Sequence, residues 1–486
     1  MISRRNFIKT SSVLGGAFVL APSPGCLVVD SDRLVYDELS GSIRGQVAVD
    51  RDILFEYSSD YAGFILKTPK YVVFPKDVED MVKVLQIANQ HKVMVTVRGQ
   101  GHSLGGQSLS EGGILLTTAG VGMDLENIDN GYKVSGGTTW LAVEEALNRE
   151  GKAFPVQTNY LGLSVGGTLA HAGIGRASVK YGHQIENVDS IRLLTPNGVI
   201  HRCSKNENAD LFSYGLASLG QLGVILDVEF SEVKTLRKTR FIYNAFESLE
   251  EYIKLSDLIL SDYFDDIDYY VGYYFSGRFM IGVGKDFQRE AELEKGSFKR
   301  LSVHFNDDYT ESTDNFNIMM HNSLVQQIEG EVKSDLSFKD KSHVWDHYLF
   351  TKDACFEFLR KCFASEREIG FKNTSPLMNS YIINNRNKSV HPFSPSYNFD
   401  NEPFLMNIGF LANVEDSDNE SLKFYRERSD QYMEWCINLK GRPYLYGHNS
   451  PDQVMKEKLY SENLDKMEKL KQLHDPNSIL NNGLIV

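Results

Sequence analysis

Apolar positions follow a helical period in some segments and form short continuous runs in others over the first half of the chain. From Lys76 to His91 the apolar residues fall at helical spacing, and the mostly β-branched run Val93 to Val97 follows and ends at a glycine loop. Helical spacing returns from Trp140 to Glu150, where Gly151 follows as a residue that readily ends a helix. Residues 45–231 are therefore predicted to alternate between helices and strands.

Turn chemistry predicts two hairpins. In the first half, Ser190 to Thr195 and Val199 to Cys203 flank the turn residues Pro196-Asn197-Gly198. In the second, Tyr269 to Phe275 and Phe279 to Val283 flank Ser276-Gly277 and are rich in aromatic residues. We expect the first to belong to the alternating part and the second to a half-buried antiparallel sheet.

The second half also carries signals for helices and for a surface loop. A capping box, Ser248 to Glu251, precedes an apolar helix, and the charged stretch from Glu415 to Glu420 predicts an exposed loop. A polar helix is predicted from Asp452 to His474, ending at Asp475-Pro476-Asn477. Helices are therefore expected to cover the antiparallel sheet.

Composition and charge narrow the classes of function. The 486 residues are enough for two or three domains. Lys and Arg total 51 against 65 Asp and Glu, a formal net charge of −14, so the surface repels a phosphate backbone and nucleic acid is excluded as a partner. The five cysteines form no C-x-x-C pair, which disfavours a disulfide scaffold, and we predict no metal site.

The N-terminus is typical of an export signal. Arg4 and Arg5 precede the mildly apolar run Ser12 to Ala21, the layout of a twin-arginine signal peptide over residues 1–25. About ten apolar residues cannot cross a hydrocarbon core of roughly 30 Å, so no membrane span is predicted. We expect the protein to be exported by the twin-arginine machinery to the periplasm or the medium. Whether Cys26 is lipidated stays open.

Two glycine-rich segments carry the candidate chemistry. The loop from Arg98 to Gly106 follows a predicted strand, and its glycines allow successive N–H groups to turn toward an anion such as a pyrophosphate. It is not a dinucleotide fingerprint, because Leu104 replaces the third glycine and a strand is predicted at Ile114 to Thr118 where a helix should begin. A second segment, Leu163 to Gly175, lies about sixty residues further on. Two such loops suit an extended ligand with two ends.

The order of these motifs resembles a known family. R-G-x-G-H-S-L-x-G-Q, L-S-V-G-G-T-L-x-x-A-G-I, Y-G-x-Q-I-x-N-V, N-x-D-L-F and G-Q-x-G-V-I occur here at Arg98 to Gln107, Leu163 to Ile174, Tyr181 to Val188, Asn208 to Phe212 and Gly220 to Ile225. This series is similar to the FAD-binding domain of the vanillyl-alcohol oxidase superfamily, and most of all to the cytokinin dehydrogenases. It is dense over residues 65–232 and returns weakly over residues 475–480.

The resemblance implies an α+β fold. A two-lobed FAD-binding domain would span residues 40–232, an inserted antiparallel-sheet substrate domain, or cap, residues 233–439, and a segment returning to the FAD domain residues 440–486. It also implies that His102 links covalently to the flavin, by a single attachment because no cysteine lies near Ser164. The other expected cofactor contacts are Arg98, Gly99, Gln100, Gly101, Ser103, Gln107, Asn159, Ser164, Gly166, Gly167, Ala170, Ile174 and Ile225.

The chain departs from the family where substrate chemistry is expected. The family has an Asp as base in W-T-D-Y-L, whereas this chain has Asn159 in Gln157 to Leu161, and an amide can orient a substrate but cannot take its proton. Asp268 and His391 are candidate replacement bases, although Asp268 also fits an ordinary strand-end carboxylate and His391 an exposed loop residue.

Three functions remain open at this point. The leading one is an FAD-dependent oxidase or dehydrogenase that passes hydride from a small molecule, such as a secondary amine of the cytokinin type, to flavin N5 and on to oxygen or a quinone-like acceptor. The second is a sugar, alditol or aldonolactone oxidase, because Gly441 to Gly447 distantly resembles a motif of that group. The third is a flavin-binding protein without turnover.

Overall fold

A computed structural model describes residues 31–122, 125–234, 238–275, 277–312, 318, 321, 322, 325, 341–369, 377–448 and 451–486. The predicted signal peptide and Cys26 lie outside these residues. The described chain has an α+β fold of three main sheets with helices packed on them. Within that part of the chain, no helix is both long enough and apolar enough to cross a membrane.

The helices and strands are numbered along the chain. The helices are α1 Ser31–Ser42, α2 Arg51–Glu56, α3 Val78–His91, α4 Trp140–Asn148, α5 Val165–Leu169, α6 Ser178–Tyr181, α7 Ala209–Gly215, α8 Leu249–Leu258, α9 Ser297–Ser302, α10 Lys352–Ile369, α11 Asn419–Asn438, α12 Gln453–Tyr460 and α13 Glu462–His474. The strands are β1 Gln46–Ala48, β2 Tyr71–Phe74, β3 Val95–Arg98, β4 Ile114–Thr117, β5 Leu125–Ile128, β6 Gly131–Ser135, β7 Lys152–Ala153, β8 Ser190–Leu194, β9 Ile200–Ser204, β10 Val224–Phe230, β11 Val233–Lys234, β12 Lys238–Phe246, β13 Tyr269–Phe275, β14 Arg278–Phe287, β15 Asp307–Ser312, β16 Lys341–Phe350, β17 Leu377–Asn384, β18 Phe404–Glu415 and β19 Arg442–Pro443.

The first sheet has the order β1-β2-β4-β3 and places the first glycine loop at the end of β3. Asp77 caps α3 by accepting from the Asp80 amide, and α3 packs its apolar face on the sheet, so the predicted helix and strand are both found here. β4 runs parallel to β3 and β2, and the chain reaches β4 from the glycine loop without an intervening helix. The loop is therefore not the strand-to-helix turn of a Rossmann fingerprint, as Leu104 and the strand at Ile114–Thr117 indicated.

The second sheet has the order β5-β6-β10-β8-β9 and contains the predicted hairpin of β8 and β9. Gly198 occupies the turn with φ +80°, which suits a residue without Cβ. Strand β10 has an irregularity between Ile225 and Asp227 where it pairs with β8. This bulge is linked to the second glycine segment through Gly136, whose N donates to Leu226 O at 2.8 Å and whose O accepts from Gly166 N at 2.8 Å.

The third sheet is antiparallel, with the order β15-β12-β14-β13-β17-β18-β16-β19. The predicted aromatic hairpin is β13 and β14, which pair from Tyr269 opposite Gly284 to Phe275 opposite Arg278. Helices α8, α10 and α11 contribute to the apolar core on one face of this sheet. The other face of this sheet packs against the first half of the chain.

The C-terminal residues return to the first sheet. Val95 N donates to Ile479 O at 2.7 Å, and Asn481 N donates to Val95 O at 2.9 Å. The buried ammonium of Lys471 lies 3.2 Å from Asp475 and holds the turn after α13. The single polar helix predicted over residues 452–474 is wrong in one respect: Ser461, at φ +42°, divides it into α12 and α13.

Candidate functional site

A cavity of about 300 Å³ lies where the two glycine segments face the third sheet. Its walls combine backbone from residues 97–103, 158–176 and 219–225 with side chains from the sheet. This volume is typical of a small-molecule site. The expected cofactor residues that line it are Gly99, Gln100, Gly101, His102, Ser103, Gln107, Asn159, Ser164, Gly166, Gly167, Ala170, Ile174 and Ile225.

The two glycine segments contact one another where the sequence has no side chain. A Cβ on Gly99 would lie 2.3 Å from Ser164 Oγ, and one on Gly166 would lie 3.1 Å from the Gly136 carbonyl oxygen. Gly101 has φ +68°, which turns the loop in the left-handed region. These glycines also line the cavity, where the absence of side chains suits the close approach of a phosphate-bearing ligand.

Hydrogen bonds to buried polar side chains hold the first loop. Asp60 accepts from Gly106 N at 2.7 Å and from Ala62 N at 3.0 Å. Burial raises the pKa of the Asp60 carboxyl to about 6, and these backbone donors and nearby Arg98 oppose that rise. Gln107 accepts from Gly105 N at 2.7 Å and donates to Leu445 O at 2.9 Å, which ties the loop to the C-terminal segment.

His102 is half-buried and packs against aromatic rings. Its ring centroid lies 3.8 Å from Tyr61 and 5.1 Å from Tyr160. Burial, and to a lesser degree His343, lowers the pKa of His102 to about 4, so the imidazole is neutral at pH 7. Its Nε2 has no hydrogen-bond partner among the described residues. The cavity therefore presents a neutral imidazole on a rigid loop.

An array of amides and a phenol lines the part of the cavity nearest the third sheet. Asn159 Nδ2 donates to the Tyr381 hydroxyl, and Asn379 Nδ2 donates to the same oxygen at 3.4 Å. Each amide thus turns its Oδ1 away from Tyr381, and neither Oδ1 has a partner within the described part of the chain. Two amide oxygens are available to accept hydrogen bonds from a ligand that carries O–H or N–H groups.

His347 lies beside this array on β16. Its Nδ1 is 2.8 Å from Asn407 Oδ1, and the orientation of that amide is fixed because Asn407 Nδ2 donates to Tyr348 O at 3.4 Å. An amide oxygen only accepts, so Nδ1 carries the proton and Nε2 the lone pair. Burial lowers the pKa of His347 to about 4, which keeps the ring neutral at pH 7.

Gly409 makes room for His347 and Asn379. The residue lies on β18 directly between them, opposite His347 on β16 and opposite Asn379 on β17. A Cβ at Gly409 would lie 2.2 Å from His347 Nε2 and 2.5 Å from Asn379 Oδ1. Both polar side chains therefore lean over the same glycine, and the sheet register brings them together.

Three residues singled out from the sequence lie elsewhere. Arg98 does not line the cavity: its Nη1 donates to Ser59 O at 2.9 Å, so it supports the loop from outside. Asp268 forms ion pairs with Lys180 at 2.7 Å and Lys285 at 3.5 Å in a separate small cavity, which argues against it as the base.

His391 is buried, and the expectation of an exposed loop residue is wrong. Its ring packs on Phe212, and Nδ1 lies 3.2 Å from Ser213 O, outside the cavity. Its neighbours along the chain are typical of a polar loop, but tertiary packing covers the side chain. His391 is therefore unsuited to act on a ligand in the cavity.

Sequence reasoning missed most of the side chains that the third sheet contributes. Strands β13, β16 and β17 each send residues to the cavity, and their alternating pattern could have shown which residues share a face but not which face meets the glycine loops. The segment Gly441 to Gly447 was noted only for a distant resemblance, yet it supplies two tyrosines. The missed residues are Arg176, Tyr273, Trp345, His347, Asn379, Tyr381, Tyr444 and Tyr446.

Comparisons with known proteins agree with the glycine-loop half of this site. A sequence-family model for an FAD binding domain matches residues 69–204. The chain is 31% identical over 254 residues to cytokinin dehydrogenase 7 of Oryza sativa subsp. japonica, covering 50% of this chain and 48% of that protein. It is 29% identical over 249 residues to cytokinin dehydrogenase 2 of Arabidopsis thaliana, covering 49% and 50%.

A bacterial relative is also similar. An uncharacterized oxidoreductase of the fasciation locus of Rhodococcoides fascians is 33% identical over 194 residues, which cover 40% of this chain and 42% of that protein. The chain spans about half the length of the curated relatives it matches. Similarity to the cytokinin dehydrogenases, expected from the motifs, is confirmed.

Proposed function

We propose that the protein is an FAD-dependent oxidoreductase that oxidises a small organic alcohol or amine. The observation that carries this proposal is one cavity that brings together thirteen residues expected to contact FAD, a neutral, hydrogen-bonded histidine and two amide oxygens. Neither amide oxygen has a hydrogen-bond partner among the described residues. The FAD binding domain matched over residues 69–204 supports it. When bound, FAD supplies a hydride acceptor at N5.

The residues present fit FAD. The bare backbone of residues 99–101, together with Ser103, suits the pyrophosphate, because its N–H groups can turn toward an anion. Ser164, Ala170, Ile174 and Ile225 would hold the remainder of the cofactor. We further propose that His102 is attached covalently to the flavin. The neutral imidazole supports this, as does Nε2, which has no hydrogen-bond partner in the described part of the chain.

His347 is the group suited to take the substrate proton. Asn159 cannot act as a base, and Asp268 lies in another cavity. The His347–Asn407 hydrogen bond fixes the tautomer and orients Nε2. Asn159 and Asn379 would accept hydrogen bonds from the substrate hydroxyl or amine and so hold it in place.

The proposed substrates include a secondary amine of the cytokinin type, as the names of the relatives suggest, and the electron acceptor is oxygen or a quinone. A second candidate is a sugar or polyol, which the amide oxygens of Asn159 and Asn379 could bind through hydroxyls. A flavin-binding role without turnover is the remaining alternative.

Anaerobic bleaching of the flavin tests the proposal. Purified yellow protein is mixed with isopentenyl adenine and, separately, with a panel of alcohols, sugars, hydroxy acids and amines, and absorbance is followed at the flavin band. We expect at least one compound class to bleach the flavin. A protein that purifies without flavin would refute the FAD assignment, and a yellow protein that none of the panel reduces would favour binding without turnover.

Export by the twin-arginine route is also proposed, on Arg4 and Arg5 and the run that follows them. Cell fractionation of the full chain and of the Arg4→Lys, Arg5→Lys double variant would test it. The double variant should remain in the cytoplasm, and unchanged export would refute the route.

A further inference from the structure

Arg176 is a buried cation that faces the cavity, and no carboxylate among the described residues pairs with it. It lies between α5 and α6, where its carbonyl accepts from Tyr270 N at 3.0 Å, and the residue is 5% exposed. Its side chain lines the cavity, and Nε has no hydrogen-bond partner among the residues that the structure describes. Within the described part of the chain, its guanidinium forms no ion pair with a carboxylate. Such a group is costly to bury unless something compensates its charge.

The rest of the cavity does not supply that compensation. Among the described residues that line it there is no Asp, Glu or Lys. Burial lowers the pKa of His102 and His347 to about 4 and lowers that of His171, so these rings are neutral at pH 7. Arg176 therefore gives the cavity a single positive charge, in a chain whose formal net charge is −14.

The position of Arg176 ties this charge to the end of the cavity nearest the third sheet. Its charge acts on Tyr381, whose pKa burial raises and the guanidinium partly lowers. Tyr381 is the phenol that joins Asn159 and Asn379, so the guanidinium acts on the group that holds both amides. Tyr273 and Tyr444 add aromatic walls to the same end.

We propose that the substrate carries a carboxylate and that Arg176 binds it. This deepens the proposed function, on which it rests: the substrate is a hydroxy or amino acid with a flat or apolar body, anchored at Arg176 by a bidentate ion pair. A monoanion matches the single charge, whereas a phosphate dianion would leave one charge uncompensated. Asn159 and Asn379 accept hydrogen bonds from the group to be oxidised, and Arg176 takes no part in bond breaking.

Binding of benzoate, with benzamide as the neutral isostere, tests this on the flavin-loaded enzyme. Each compound is titrated while the flavin absorbance spectrum is recorded. We expect the wild type to bind benzoate at least tenfold more tightly than benzamide. Arg176→Gln should weaken benzoate binding at least tenfold and leave benzamide binding within threefold, and Arg176→Lys should retain part of the preference. Arg289→Gln, an exposed arginine paired with Glu292, is the matched control.

Equal affinity of the wild type for benzoate and benzamide would overturn the proposal, and so would failure of both compounds to perturb the spectrum. Both measurements use the wild-type protein, so the proposal can be refuted even if Arg176→Gln fails to fold. Suppose instead that Arg176→Gln leaves benzoate binding unchanged and weakens formation of the sulfite adduct at flavin N5. That result would assign Arg176 to the flavin instead and would also overturn the proposal. A protein without flavin would refute the proposed function itself, which separates the two failures.

Discussion

Replacing Gly409 by Ala should disable the cavity while leaving cofactor binding intact. The new Cβ would lie 2.2 Å from His347 Nε2 and 2.5 Å from Asn379 Oδ1, whereas ordinary contacts begin at 3.4 Å. The imidazole must therefore move by at least about 1.2 Å, the difference between 3.4 and 2.2 Å. Strand pairing on both sides of Gly409 prevents the backbone from relaxing to accommodate it.

Two magnitudes follow from that displacement. Overpacking a well-filled site costs about 1–3 kcal/mol of stability, so the folded protein should persist with a lower melting temperature. Misplacing a reacting group by about 1 Å can cost roughly 100-fold in rate. We expect the rate of anaerobic flavin bleaching to fall about 100-fold with the panel compound that reduces the wild type fastest, and the flavin content to be unchanged.

Two comparisons decide whether Gly409→Ala acts through His347. Gly41→Ala is the matched control, because a Cβ at Gly41 in α1 meets nothing within 4 Å. In a His347→Ala background the additional effect of Gly409→Ala should become small, since residues in contact are not additive. A Gly409→Ala protein that reduces its flavin at the wild-type rate would refute the reasoning. If Gly409→Ala slows flavin reduction as much in the His347→Ala background as in the wild type, the role of His347 is refuted.

Three further predictions concern titratable groups. His102→Ala should release its flavin on acid precipitation while the wild-type pellet stays yellow, and a yellow mutant pellet would contradict the covalent link. The wild-type rate of flavin reduction should fall as pH drops through about 4, where His347 becomes protonated. His347→Gln should slow flavin reduction and abolish this fall. His391 is also buried with a pKa of about 4 but lies outside the cavity, so His391→Gln should leave the dependence of rate on pH unchanged. Asp60→Asn should flatten the dependence of stability on pH between about 4 and 6. The folded pKa of Asp60 is raised from 3.8 to about 6, so its stabilising effect is complete below pH 3.8 and is lost as pH rises through 6. The loss amounts to about 3 kcal/mol of unfolding free energy in all. Equal pH slopes for the melting temperatures of wild type and Asp60→Asn would contradict that reasoning.

The glycine-loop half of the site could be recognised from local sequence patterns. Glycine spacing and turn chemistry are local properties, so residues 98–107 and 163–175 could be recognised without knowledge of the fold. Their contact at Gly99 and Ser164 follows from the same need for bare backbone. The hairpins at β8–β9 and β13–β14 were also predictable, because their turn residues lie within the segments themselves.

The part of the cavity proposed to bind substrate depends on contacts between distant segments of the chain. His347, Asn379 and Gly409 are far apart in sequence and meet because the register of three antiparallel strands places them side by side. Asp268 and His391 were plausible as single residues, but an ion pair and apolar packing remove them from the cavity. Arg176 could not be singled out from the sequence for the same reason. Its lack of a carboxylate partner among the described residues is a property of the folded cavity, and no local sequence pattern encodes it.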